Sequence, residues 1–233
     1  MKISRISFLE RPPLRFRRIG SPHSAGSNRG FTLIELLVTI AIIAVLGALL
    51  FPLFGRIQGS TNSVKCANNL RQIGMAVLSY AADHDGTLPG PANSGQAAEC
   101  PSTGSPYQLI YILANYLGPY GPPVAPYTVR PNTWYSPVFE CPAARKIILA
   151  QNKTLTGAIY YVTTYLLFGF PPNIAQPMRL VNIPSLQTMV VMRDADQTFY
   201  GKGAPTVAAA PPHGSYRNTL YLDGHVEPVP VKP

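Results

Sequence analysis

Charge is scarce in this chain, and acid scarcer still. Charged residues make up 12% of the 233 residues, with 19 Lys and Arg against 10 Asp and Glu. Apolar residues are 46% of the whole, which excludes a disordered composition. There are three cysteines, with no C-x-x-C and no close pair, so the spacing does not suggest zinc. No G-x-S-x-G, H-E-x-x-H or P-loop pattern occurs, so a hydrolytic triad or a nucleotide site has no sequence support. No fixed-period repeat is visible.

What is abundant is unevenly placed. Residues 1–30 hold seven basic residues and one acid, Glu10, so two thirds of the net charge of +9 precedes the first long apolar run. A basic head in front of such a run reads as a cytoplasmic anchor, which accounts for the high pI better than a nucleic-acid-binding arm does. No nucleic-acid partner is expected. The run from Leu36 to Phe54 is 19 residues, about 28 Å of helix, enough to span a bilayer core. The sequence after it, Phe51 to Arg56, offers no small-x-small cleavage site, so the run reads as a retained anchor and not a removed signal. Between Thr32 and Phe54 the polar side chains are Thr32, Glu35 and Thr39 alone. A charge at such a place costs roughly 2.5–3.5 kcal/mol on insertion scales, so Glu35 is expected to have a use. Gly47 and Pro52 weaken the helix towards its C-terminal end.

The rest of the chain is long enough for one modest core, about 180 residues. Ser60 to Ala82 reads as an amphipathic helix, with Val64, Ala67, Leu70, Ile73, Gly74, Val77, Leu78 and Ala81 on one face and a stop at Asp83-His84-Asp85-Gly86 before Pro89. Residues 86–142 are rich in Pro and in Tyr107, Tyr111, Tyr116, Tyr120, Tyr127, Trp134, Tyr135 and Phe139. These aromatics either pin loops to the core or form a glycan or partner surface. Ser105 to Leu117 holds a short helix with Leu109, Ile110, Leu113 and Leu117 on one side; the remainder is loop. The C-terminal third reads as β: Ala158–Phe168, Thr188–Met192, and Asn218–Leu222 with His225–Val229 flanking Asp223-Gly224, a dipeptide suited to a type I′ hairpin turn. Asp194-Ala195-Asp196 could supply oxygens to calcium, and His213, Asp194, Asp196, Asp223 and Glu227 are the polar candidates in the head. Asn152-Lys153-Thr154 fits a glycosylation sequon.

The junction Arg29-Gly30-Phe31-Thr32-Leu33-Ile34-Glu35-Leu36-Leu37 resembles the prepilin cleavage and methylation signature of type IV pilins and type II secretion pseudopilins. The resemblance implies cleavage after Gly30 by a prepilin peptidase, N-methylation of Phe31, and a pairing of Glu35 with the N-terminal amine of a neighbouring subunit; pairing with the amine of its own Phe31 is the alternative. Three further stretches resemble pilin-like proteins of planctomycete and verrucomicrobial type. They are Cys66-Ala67-Asn68-Asn69-Leu70-Arg71-Gln72-Ile73-Gly74, then Phe139-Glu140-Cys141-Pro142, then His213 with nine residues before Asp223-Gly224, an H-X9-DG motif. That likeness implies an α+β fold, with a long hydrophobic stem helix packed on a C-terminal antiparallel sheet. It divides the chain into a leader (1–30), an apolar helix (31–54), an amphipathic stem (55–85) and a head (86–233). Three cysteines allow one bridge. Cys66 and Cys141 both fall in the motif stretches, and Cys100 with Cys141 is the alternative.

The implied function is a structural subunit, not an enzyme. It is made as a single-pass inner-membrane precursor with its N-terminus cytoplasmic and its head periplasmic. Its partners are the peptidase-methylase, other pilin or pseudopilin subunits and membrane lipid, and the subunit is extracellular if the filament is a pilus. A second reading is a membrane-tethered binding protein for a polysaccharide or an exported protein. A third is an exported enzyme using His213 and Asp223.

Overall fold

The structure, a computed structural model, describes residues 31–101, 106–118, 133–151, 155, 157–169, 176–201 and 206–231. The leader with Gly30, the sequon at 152–154, and Tyr120 and Tyr127 lie outside the described residues. The chain divides into two compact units, Met1–Ala48 and Leu49–Pro233.

One helix, α1 (Leu33–Asp83), carries the first 51 described helical residues without a break at Gly47 or Pro52. Its first part is apolar all round and exposed, with Ile34 at 70% and Leu49 at 70%. Leu33–Phe51 is long and apolar enough to cross a membrane. Further along, the pattern becomes one-sided. Cys66, Leu70, Ile73, Val77 and Ala81, spaced by four, three, four and four, are fully buried. The buried face keeps Leu70, Ile73, Gly74, Val77 and Ala81 of the face expected, but Val64 stays 57% exposed and full burial begins at Cys66. Helix α1 stops as its sequence demands. Asp85 and Gly86 take positive φ, 53° and 75°, and the Gly86 N–H reaches back to the Ala81 carbonyl at 2.8 Å, the wide closing bond of a glycine-type C-cap.

The head in Leu49–Pro233 is α+β. Its main sheet has the order β1 (Gly95–Ala97), β4 (Ile159–Thr163), β5 (Val190–Asp194), β6 (Tyr216–Tyr221), β7 (Val226–Pro230), antiparallel throughout. A small second sheet pairs β2 (Glu99–Pro101) with β3 (Thr133–Tyr135). Helices α2 (Leu109–Ile112), α3 (Pro142–Ala150), α4 (Tyr165–Phe168) and α5 (Gln197–Tyr200) are short. The α1 stripe, Phe139, Ile148, Tyr160, Tyr161, Phe168, Met192 and Leu220 form one core.

Three expectations need correcting. The apolar stretch 158–168 is not one strand. Pairing of β4 with β5 ends at Thr163 opposite Met192, and Leu167 then donates back to the Thr164 carbonyl, turning the chain into α4. The Asp223-Gly224 turn is not type I′. Among the non-glycine residues described, only Asp85 has positive φ, so Asp223 does not meet the requirement. Gly224 alone is left-handed (φ 90°), the Gly224 N–H donates to the Tyr221 carbonyl at 3.0 Å, and a four-residue loop results. Finally, residues 86–142 hold strands β1, β2 and β3 besides the expected short helix and loop. Helix α3 starts at Pro142, a proline at the first helical position, whose missing N–H would have had no partner anyway.

Candidate functional site

The first site is the start of α1. Thr32 and Glu35 form a reciprocal cap. The Thr32 N–H donates to Glu35 Oε2 at 2.9 Å, the Thr32 hydroxyl to the same oxygen at 2.8 Å, and the Glu35 N–H to Thr32 Oγ1 at 3.3 Å. This is the capping box of a Thr followed three residues later by Glu, and it satisfies two of the four orphan donors at the helix start. The carboxylate is therefore engaged within its own chain by Thr32. Phe31, just before the cap, is 83% exposed.

The second site is in the head, where the three separate motif stretches meet. Asn69, buried on α1, donates through Nδ2 to the carbonyls of Glu140 at 2.8 Å and Pro137 at 3.2 Å. One turn back, Cys66 is bonded to Cys141, with Cα atoms 5.0 Å apart, tying α1 to the start of α3. One turn on, Gly74 lets β6 come close. A Cβ there would sit 2.9 Å from Leu220 Cδ1 and 3.7 Å from the Cα of Gly224. The glycine of the stem stretch thus lies against the glycine of the H-X9-DG stretch.

His213 does not join Asp223. Its Nε2 lies 3.2 Å from Asp194 Oδ2 and 3.7 Å from Cys141 Sγ, and its ring stacks on Tyr216 with centroids 5.5 Å apart. Both partners are out of solvent, at 2% side-chain exposure for His213 and 0% for Asp194. Burial pushes the Asp194 carboxyl above its ordinary value. The hydrogen bond and charge of His213, and the Asn218 N–H at 2.7 Å, work against that rise. Asp194 Oδ1 accepts no hydrogen bond among the described residues. Tyr161, opposite Asp194 on β4, is fully buried, and burial followed by the Asp194 charge holds its phenol well above the usual range.

The other candidates go elsewhere. Asp223 accepts from the backbone N–H of His225 at 3.1 Å and from its imidazole, an exposed turn that gives His213 no catalytic carboxylate. Asp194 and Asp196, the calcium candidates, are committed to different partners, His213 and Arg217. Asp196 caps α5 through the Thr198 N–H at 2.8 Å and takes a forked pair of bonds from Arg217 at 2.6 and 3.0 Å. A calcium ion there would have to displace a guanidinium. Glu227 is exposed on β7, opposite Thr219. Cys100 is buried and outside the bridge. The Asp194–His213 pairing was missed by sequence reasoning, and no local signal could have found it, because the partners lie on different elements.

Residues 26–51 match the family described as prokaryotic N-terminal methylation motif. The chain is 38% identical over 58 residues to the type IV major pilin protein PilA of Myxococcus xanthus strain DK1622, covering 25% of this chain and 26% of that one. It therefore spans about a quarter of the length of that curated relative. No solved structure matches. The likeness is to type IV pilin structural subunits, not to an enzyme family, and the helix that carries the methylation motif is long and apolar enough to cross a membrane.

Proposed function

We propose that this type IV pilin-like chain is the precursor of a filament subunit. It is cut after Gly30 by a prepilin peptidase, methylated on the new N-terminus at Phe31, and assembled through α1 into a type IV pilus-like or type II secretion pseudopilus filament. Before assembly it sits in a bacterial inner membrane with the basic leader cytoplasmic and the head periplasmic, as the charge asymmetry favours. The observation that carries the reading is the methylation motif over residues 26–51, placed at the start of a helix whose apolar side chains are exposed along Leu33–Phe51. Such a surface must be covered by lipid or by other stems. Burial of stem against stem supplies the driving force, at ~25 cal/mol per Å² of apolar area.

Glu35 fixes the stagger. Cleavage replaces the Gly30–Phe31 peptide by an amine that is largely protonated at neutral pH, with a reference pKa of ~7.7–8.0. An ammonium and a carboxylate brought together in lipid attract far more strongly than in water. The carboxylate held by Thr32 in the precursor is then exchanged for the amine of a neighbouring subunit.

The test is intact mass of the protein extracted from its native membranes, together with Glu35→Ala. The expected species starts at Phe31 and carries one added methyl. Glu35→Ala is expected to be cleaved normally and to yield no filament. A wild-type chain that still carries residues 1–30, or normal filaments from Glu35→Ala, overturns the proposal.

A further inference from the structure

We propose that Cys66, Cys141, His213 and Asp194 form a redox-gated metal site: closed while the two cysteines are bridged, and able to bind one tetrahedral divalent ion of the zinc class when the bridge is open. The four residues lie on α1, at the start of α3, in the turn before β6 and at the end of β5. Nothing in their sequence spacing suggests a metal; the fold alone collects them.

The geometry is that of donors around a shared centre. The donor atoms of Cys66, Cys141 and His213 all lie within 4.8 Å of one another. His213 Nε2 faces a sulfur at 3.7 Å and a carboxylate oxygen at 3.2 Å at once. Zinc bonds of ~2.3 Å to sulfur and ~2.0–2.2 Å to nitrogen and oxygen, arranged tetrahedrally, give ligand–ligand edges of about 3.4–3.8 Å. The two edges that run from His213 are therefore already close to their metal-bound lengths. The fourth ligand, Asp194, lies outside that cluster of three, beside His213, and must move in to reach the ion. Asp194 is fully buried, its Oδ2 is oriented by the Asn218 N–H at 2.7 Å, and its Oδ1 has no hydrogen-bond partner among the described residues. A buried carboxylate with an unused oxygen is poorly satisfied by one imidazole and well satisfied by a divalent ion. A groove of about 770 Å³, with Ser63, Ala143, Lys146, Pro212 and Tyr216 in its wall, has His213 in its lining, on the side from which an ion would approach.

The redox step balances with a named reductant. A dithiol gives two electrons and two protons to the Cys66–Cys141 bond, which breaks to two thiols while the dithiol closes to its own disulfide. Metal binding then expels both thiol protons to water, and His213 binds as the neutral imidazole, its Nε2 turned from Asp194 to the ion. In the bridged state both sulfurs are consumed and only the His213–Asp194 pair remains.

The experiment uses the full chain in detergent, opened with a water-soluble phosphine, which takes up the oxygen of water as two thiols form. Cobalt(II) is titrated as a spectroscopic stand-in for zinc. The expected result is one equivalent bound with the visible bands of tetrahedral cobalt and a thiolate charge-transfer band, absent from the bridged protein. Cys100→Ala keeps the signal. His213→Ala and Asp194→Asn each weaken binding at least tenfold, and Cys66→Ser with Cys141→Ser abolishes the charge-transfer band. If opening the bridge unfolds the head, zinc is expected to restore its circular dichroism and its melting transition. No tetrahedral cobalt signal from a folded open-bridge protein overturns the proposal. So do binding indifferent to both His213→Ala and Asp194→Asn, equal binding by the bridged chain, and failure of zinc to refold an unfolded head.

Discussion

Removing the His213 imidazole should be among the most damaging single changes in the bridged head. It leaves Asp194 at 0% exposure with the Asn218 N–H as its one remaining donor among the described residues. Breaking a buried pair by deleting one partner costs about 3–5 kcal/mol, because the other charge stays buried and uncompensated. For a domain of this size each kcal/mol moves the melting midpoint by roughly 2–4 °C, so His213→Ala is expected to melt roughly 6–20 °C lower. Asp194→Asn removes the charge itself and should cost less. The double variant should then be more stable than His213→Ala alone, a coupling that two independent sites would not show. The pH profile adds a sign. Burial already raises the Asp194 carboxyl, with His213 opposing the rise. Without His213 the folded value climbs further. A folded pKa above the unfolded one gives stability that is present at low pH and lost as pH rises through the folded value. The deficit of His213→Ala should therefore shrink in acid and grow towards neutral pH. The assay is denaturant and thermal unfolding of the bridged full chain, followed by near-ultraviolet circular dichroism from pH 4 to 8. A cost under about 1 kcal/mol, or double-variant effects additive within about 0.5 kcal/mol, would refute the reasoning.

Other outcomes follow from the same contacts. The Cys66–Cys141 bridge closes a loop of 75 residues, for which the chain-entropy relation gives about 4.5 kcal/mol; opening it without metal should lower the melting midpoint by roughly 9–18 °C in calorimetry, and a shift of a degree or two would show that the bridge does not constrain the unfolded chain. Gly74→Val drives a side chain into Leu220 and should cost about 1–3 kcal/mol, whereas Gly74→Ala should be near neutral, because the Leu220 methyl can shift and alanine gains up to about 1 kcal/mol of helix propensity; equal melting of the two would remove the close-approach explanation. At Asp196 burial acts to raise the carboxyl, but the hydrogen bonds from Arg217 and Thr198 outweigh it and hold it below its ordinary value. That contribution is present above the unfolded pKa and lost as pH falls through the lower folded value, so wild type and Arg217→Met should differ at pH 6 and draw together in unfolding midpoints as the pH is taken down through the acid range; a gap that does not change with pH would contradict the assignment.

The parts of the fold that could be read from sequence are those set by local chemistry. The apolar run fixes a spanning helix, Gly86 fixes its end, and the alternation around Asp223-Gly224 fixes a hairpin. The errors lie where tertiary contacts outvote a local pattern. Residues 158–168 carry strand-forming side chains throughout, yet the chain leaves β5 after Thr164, whose N–H still donates to the Val191 carbonyl at 3.0 Å, and the last four residues coil. Val64 and Cys66, two residues apart, cannot share one helix face; Cys66, four residues before Leu70, falls on the buried stripe and Val64 does not. The site was less legible still. The H-X9-DG spacing invites a His213–Asp223 pair, but its two ends serve different neighbours: His213 goes to Asp194 and the bridge, and Gly224 goes to Gly74.

That division gives the motif a physical reason. Helix α1 is gripped by the head from Cys66 onward, and each motif residue supplies one part of the grip. Cys66 is bonded at its first buried turn, Asn69 satisfies two carbonyls of the 137–140 turn, and Gly74 admits β6 and its hairpin. The spacing from His213 to Gly224 is the length of chain that runs from the bridge, up β6 and round to the face of α1 at Gly74. A residue inserted there would move either the imidazole off Asp194 or the glycine off the helix. Because side chains alternate along a strand, a one-residue slip in β6 would also exchange buried Leu220 for half-exposed Tyr221. The interval of nine is thus a measure of one strand and one turn, held at one end by Asp194 and the bridge and at the other by the face of α1 at Gly74.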